Sequence, residues 1–159
     1  MTTWAEPAPE NGYLQDYAAL LISSYFRWLG RTLVETALSP AEQAAWLFTA
    51  PFAIVSHGDS LDPIFNYANR TALELFEYSW LEFTALPSRL SAEPLHRAER
   101  ERLLETVTRQ GYIADYRGVR IARSGRRFRI EGAIVWNLLD ERGERCGQAA
   151  IFDNWVFLP

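Results

Sequence analysis

The feature that most constrains this chain lies near its C-terminus, where apolar and polar side chains alternate over residues 127–138. Phe128, Ile130, Gly132, Ile134, Trp136 and Leu138 share one side of a two-residue repeat; Arg127, Arg129, Glu131, Ala133, Val135 and Asn137 share the other. That period belongs to a half-buried strand. Turn formers bracket it, Ser124-Gly125 before and Asp140-Glu141-Arg142-Gly143 after. Segments 112–122 and 147–157 are therefore predicted to fold back on it as a three-stranded antiparallel meander.

Upstream, Phe52-Ala53-Ile54-Val55 is a short buried-type strand, followed by the turn chemistry of Ser56-His57-Gly58-Asp59. Asp62-Pro63 punctuates again. Ile64-Phe65-Asn66-Tyr67 reads as a second strand, closed by Asn69 as N-cap of a helix over 70–76. Ser79-Trp80-Leu81-Glu82 has capping-box spacing and opens a short helix. A charged helix then runs from Pro94 to Arg109 with Leu95, Leu103, Leu104 and Val107 as its apolar side, stopped by Gly111. Strands adjacent in sequence usually neighbour one another. The order closes as an α+β fold, a five-stranded antiparallel sheet centred on the first and last strands, with helices on one face.

Two helices precede this unit. Residues 14–36 contain one glycine and no proline, with Leu14, Tyr17, Leu21, Tyr25, Trp28 and Leu29 at helical spacing. Leu20, Ile22 and Phe26 widen the apolar stripe, so this helix has two surfaces to cover: its own sheet and a second subunit. Ser39-Pro40-Ala41-Glu42 starts the next helix, with Ser as N-cap, Pro in the first turn and Glu reaching back. The expected organisation is a flexible tail over 1–13, a helical extension over 14–50 and a sheet domain over 51–159.

Composition narrows the function classes. With 159 residues, 48% of them hydrophobic, the chain builds one core without disulfides or metals. A formal charge of −4 argues against a dedicated nucleic-acid binder, which needs surplus cations. A single cysteine, Cys146, excludes an intramolecular disulfide and a Cys-rich zinc site. The N-terminus lacks the basic and apolar regions of a signal peptide, and the most apolar stretch, 17–29, is too short to span a membrane. A cytoplasmic location is expected.

The strand, strand, helix cluster, meander order resembles the PAS fold. Ile64-Phe65-Asn66-Tyr67-Ala68-Asn69-Arg70-Thr71-Ala72-Leu73-Glu74-Leu75-Phe76-Glu77-Tyr78-Ser79 is similar to the PAS strand-to-helix signature, with Glu77 where glycine is usual. Residues from about 52 to 157 resemble more closely the MEKHLA domain family, itself PAS-like. The runs that carry this are Asp62-Pro63-Ile64-Phe65-Asn66-Tyr67, Leu86-Pro87-Ser88-Arg89-Leu90, Ser124-Gly125-Arg126-Arg127-Phe128-Arg129-Ile130 and Val135-Trp136-Asn137-Leu138-Leu139-Asp140. The resemblance implies a sensory or regulatory module and brings no assigned ligand, cofactor or catalytic residue.

PAS-like domains form pockets between helices and sheet, and such sites are mostly apolar with few polar groups. Tyr67, Phe76, Trp80, Leu90, Tyr116, Phe128, Ile130 and Trp136 are the expected lining, with Asn137 and Gln148 as polar contacts. A plain aromatic core explains the same residues. Trp136-Asn137-Leu138 is similar to a run in flavin-binding light–oxygen–voltage domains, but their photochemistry needs a cysteine in the helical region, and Cys146 lies by the last hairpin. His96 stands at the start of the charged helix, where some PAS domains ligate haem, and is otherwise a solvated histidine. His57, Asp59 and Asp62 form a metal-like or acid–base trio that also reads as ordinary turn chemistry. Arg117, Arg120, Arg123, Arg126, Arg127 and Arg129 crowd one hairpin, a nucleic-acid or anionic-ligand patch, or a wet sheet face and charged hairpin tip guarding an edge.

The expected function is a non-enzymatic sensory module that binds a small molecule or a protein and signals through its N-terminal helix. That helix is expected at a homodimer interface, with output through a protein partner. One alternative is a small enzyme using an internal cavity with His57 and nearby carboxylates. A pure interaction or dimerisation domain is the other.

Overall fold

In the computed structural model, which describes residues 4–159, each capping signal opens a helix. α1 (Gln15–Leu29) ends at Gly30 in the left-handed conformation. α2 (Pro40–Thr49) starts where Ser39 Oγ accepts the Glu42 N–H at 3.2 Å and the Glu42 carboxylate accepts the Ser39 N–H at 3.0 Å. Ser79 and Glu82 repeat this at α4 (Trp80–Phe83). Between them lies α3 (Arg70–Phe76), capped by Asn69. α5 (Pro94–Gln110) begins on proline and stops at Gly111.

The strands are β1 (Ala53–Gly58), β2 (Phe65–Ala68), β3 (Tyr112–Ile121), β4 (Arg127–Leu139), β5 (Arg145–Phe152) and β6 (Asn154–Phe157). They pair antiparallel in the order β2-β1-β5-β4-β3, which puts the first and last strands at the centre as expected. β6 is the continuation of β5. β5 pairs with Ile134–Leu139 of β4, the chain breaks at Asp153, and β6 resumes on residues 128–131 of the same strand.

Opposite that break β4 departs from simple alternation. Gly132 sits at φ 64, and three steps of β4 from Ile130 to Ala133 face two of β3 from Gly118 to Tyr116. This bulge reverses the phase of the strand. Phe128 and Ile130 point to one face, and beyond Gly132 it is Ala133, Val135 and Asn137 that join them, while Trp136 and Leu138 turn to the other.

Each face has its own cover. α3, α4 and α5 lie over the first, where Phe65 stacks on Phe83 at 4.2 Å and Phe76 meets Phe128 edge-on at 5.1 Å. α1 lies over the second. Tyr25 packs edge-on against Trp136 at 5.1 Å, Tyr17 stacks on Tyr67 at 5.8 Å, and Leu21 is fully buried. The Tyr17 hydroxyl meets Ser56 Oγ at 2.6 Å and Asn66 Oδ1 at 2.9 Å, which fixes the start of α1 to β1 and β2. Of the flexible tail expected over 1–13, residues 1–3 lie outside the described part. Residues 4–13 rest against the domain: the Trp4 carbonyl accepts the Trp80 Nε1–H at 2.7 Å, and the Trp4 ring lies 4.7 Å from Tyr17.

Candidate functional site

A cavity of about 60 Å³ lies between α5 and the sheet. Its apolar wall comes from Phe65, Phe76, Leu103, Ile130, Val135 and Phe152. Of the residues selected from sequence, Phe76, Tyr116, Ile130 and Gln148 line it. Phe128 packs on Phe76 on the same side of the sheet, and Asn137 lies behind Gln148. Tyr67 and Trp136 do not face it, because β2 and the reversed half of β4 turn them toward α1. Trp80 is buried against Tyr67 and the Trp4 carbonyl, and Leu90 stands 36% exposed on the 3-10 turn Ser88–Ser91.

The polar groups of the cavity are the less expected part. His57 on β1 is 6% exposed; its Nδ1 lies 2.7 Å from the Gly58 carbonyl, which can only accept, so Nδ1 carries the proton. Nε2 is then an acceptor, and it is enclosed without a partner among the described residues. Burial, helped by the charges of Arg100 and Arg145, drives the imidazole pKa down to about 4 against the Gly58 hydrogen bond. Arg100 of α5 and Arg120 of β3 also line the cavity, at 6% and 9% exposure. Arg100 stands at i−3 from Leu103 and i−7 from Val107, so the inward stripe of α5 places a guanidinium where an apolar side chain would sit. That spacing was available in the sequence, where charge alone made Arg100 look solvated.

On the sheet floor Gln148 of β5 faces Asn137 of β4 across the ladder. Gln148 Nε2 donates to Asn137 Oδ1 at 3.1 Å, to Thr108 Oγ1 at 3.0 Å and to the Leu104 carbonyl at 3.1 Å. Asn137 Nδ2 donates to the Val107 carbonyl at 3.0 Å, and the Asn137 carbonyl accepts the Trp28 Nε1–H from α1 at 2.9 Å. The Asn137 N–H in turn donates to the Gly111 carbonyl at 2.9 Å. Gly111, at φ 98, lies under the Trp28 ring so closely that any Cβ there would run into it. A polar chain thus joins the cavity floor to the helix on the far face of the sheet.

The arginine-rich hairpin resolves into separate contacts. Arg117 and Arg129 both pair with Glu131, Arg123 with Glu82, and Arg127 with Glu93, while Arg126 lies over the Phe157 ring at 3.4 Å. Arg120 alone of the six turns inward. His96 is at the start of α5, 3.9 Å from Glu99, and is not among the cavity residues. Asp59 and Asp62 are exposed on the β1–β2 loop while His57 is buried, and Asp62 pairs with Arg89 at 3.1 Å. Among the described residues no three His, Cys, Asp or Glu side chains gather as a metal site, and no helix is long and apolar enough to cross a membrane.

The family model for the MEKHLA domain matches residues 15–157. The chain belongs to the MEKHLA domain family. The match takes in α1 and α2 as well as the sheet domain. MEKHLA and PAS-type domains are sensory domains rather than enzymes. Among solved structures, this MEKHLA chain is similar to a PAS domain of a Colwellia psychrerythraea protein, with TM-score 0.62 and 17% identity over 74% of this chain and 94% of that one. It is similar to a light–oxygen–voltage domain studied with a flavin analogue, with TM-score 0.58 and 16% identity over 74% and 85% of the two chains. A cysteine-to-serine mutant of Vivid aligns with TM-score 0.58 and 16% identity over 83% of this chain and 97% of that one. At these identities the likeness establishes the PAS-like fold. No curated protein matches the chain.

Proposed function

We propose that this MEKHLA chain is a sensory module that takes a small molecule into the cavity between α5 and the sheet and reports its occupancy through α1. The observation that carries the reading is the hydrogen-bonded chain Gln148–Asn137–Trp28, which connects a cavity-lining side chain to α1. An occupant that draws on Gln148 competes with its bonds to Asn137 and α5, and so acts on the carbonyl that holds Trp28. A ligand shifts such an equilibrium only by its different affinity for the two arrangements. The outward stripe of α1, with Ala19, Ser23 and a Phe26 that is 56% exposed, is the proposed contact for a second subunit or an output partner.

The acid–base reading finds less support. A neutral His57 with no carboxylate beside it and Nδ1 tied to a carbonyl is poorly placed to exchange protons near neutral pH.

The test is hydrogen exchange of the purified protein before and after removal of any co-purifying small molecule, with native mass spectrometry reporting bound mass and subunit number. Occupancy is expected to change protection of α1 in the wild type. Trp28→Phe, which keeps the ring and removes the N–H, is expected to bind equally and lose the α1 response. Unchanged α1 protection in the wild type on occupancy would overturn the reading.

A further inference from the structure

The charge inside the cavity is unbalanced. Arg100 donates from Nη2 to Ser88 Oγ and to no carboxylate. Arg120 donates to the Val119 carbonyl at 2.9 Å and to the Tyr116 hydroxyl at 3.2 Å, with its guanidinium 5.7 Å from the Tyr116 ring centre. Ion pairs occupy Arg89, Arg117, Arg123, Arg127 and Arg129 on the surface, and neither buried arginine has one among the described residues. Burial, together with the neighbouring Arg120 charge, lowers the Arg100 pKa to about 10, and the carboxylates that oppose this, Glu101 and Asp62, are surface residues. A buried ion without its counter-charge is destabilising, and two like charges at one cavity add repulsion.

We infer that the cavity binds a small organic carboxylate, its anionic end held by Arg100 and Arg120 and its short hydrocarbon end against Phe65, Phe76, Ile130 and Val135. This rests on the cavity being the ligand site proposed above. Guanidinium forks match carboxylate oxygens in planar, charge-assisted pairs. The strand geometry supports the arrangement: Gly118 lies under Tyr116, whose ring occupies the space a Cβ would need, and this lets the tyrosine reach along β3 to Arg120. An inorganic oxyanion fits less well, since α5 contributes Arg100, Leu103 and Leu104 from its middle rather than its N-terminal N–H groups, and much of the remaining wall is apolar. Size is restrictive too. About 10–15 Å³ accommodates one water-sized group, so a cavity of about 60 Å³ takes a chain of roughly four to six non-hydrogen atoms.

The experiment is methyl and amide NMR titration of the full chain, at constant ionic strength, with acetate, propionate and butyrate. Butyramide, 1-butanol, inorganic phosphate and xenon serve as comparators. The expected result is saturable shifts at Leu103, Ile130 and Val135 with the acids, at least tenfold tighter for butyrate than for butyramide. Arg100→Gln and Arg120→Gln each lose tenfold or more; the acid-against-amide comparison stands on the wild type even if a variant does not fold. Butyramide, butanol or phosphate binding as tightly as butyrate overturns the carboxylate assignment and leaves the cavity as a ligand site. If neither the acids nor xenon perturb these methyls, the cavity admits nothing, and both this assignment and the sensory reading of the cavity fall.

Discussion

His57 is neutral in the fold because solvent is excluded from it, and that has a measurable consequence. The folded chain holds the imidazole unprotonated down to about pH 4, whereas the unfolded chain protonates near 6.5. Within that window the unfolded state binds the extra proton, so stability falls as pH drops from about 6.5 toward 4. The gap corresponds to a loss of about 3 kcal/mol. Urea unfolding across this window is expected to show that loss in the wild type and not in His57→Gln; parallel curves for the two proteins would remove His57 as the source. Glu77 illustrates a different economy. It occupies the left-handed position, φ 65, where the PAS signature has glycine, and its carboxylate accepts the Ser124 N–H at 3.0 Å. That bond, which also lowers the Glu77 pKa, ties the end of α3 to the β3–β4 hairpin and offsets the backbone strain.

Elements are joined at a few buried polar nodes, of which Asn69 is the densest. Sequence identifies it as an N-cap, and its Oδ1 does accept the Ala72 N–H at 3.1 Å. The same oxygen accepts from Ile54 in β1, and the amide donates to the Leu47 and Phe52 carbonyls, so one fully buried side chain fastens α2, β1 and α3. Asn69→Ala is expected to cost about 3 kcal/mol or more, beyond the ~1 kcal/mol of an ordinary cap. Asn69→Asp, which keeps the cap but sets a buried carboxylate oxygen against the Leu47 and Phe52 carbonyls, should cost at least as much. Chemical denaturation distinguishes these, and a loss near 1 kcal/mol for the alanine variant would mean the cap alone matters. β4 shows where reading stops. Its length and strand character follow from the alternation, yet the bulge at Gly132 reverses the phase, so the period that placed Trp136 with Ile130 put it on the wrong face. A glycine in a strand pattern signals a bulge without fixing it; pairing with β3 and β6 does that.

For the molecule as a whole, α1 completes the fold. Trp136, Leu138 and Tyr67 are buried on the face of the sheet that α1 covers, while α5 lies over the other. A chain beginning at residue 37 is therefore expected to lose cooperative unfolding and to bind a hydrophobic dye, instead of persisting as a stable fragment. Thermal melts and dye fluorescence check this, and a truncated chain that melts as sharply as the full one would show that the sheet needs no second cover. The same placement supports the proposal that α1 reports on the cavity, since the β4 strand that carries Asn137 is the layer between them.

The PAS-like order of elements, the three helix caps at Ser39, Asn69 and Ser79, and the central position of the first and last strands were all determined by sequence alone. Each depends on neighbours a few residues apart or on simple rules of strand succession. The site depended on more. Phe76, Tyr116, Ile130 and Gln148 could be selected because the PAS-like order of elements sets α3 and the meander around a common space. In sequence Arg120 is one of six hairpin arginines and Arg100 shares only the spacing of an apolar stripe; neither is marked as buried, because a guanidinium is buried only when distant elements close over it. That closure lays α5 over β3 and β4 and sets α1 against the back of the sheet, and it belongs to the tertiary structure.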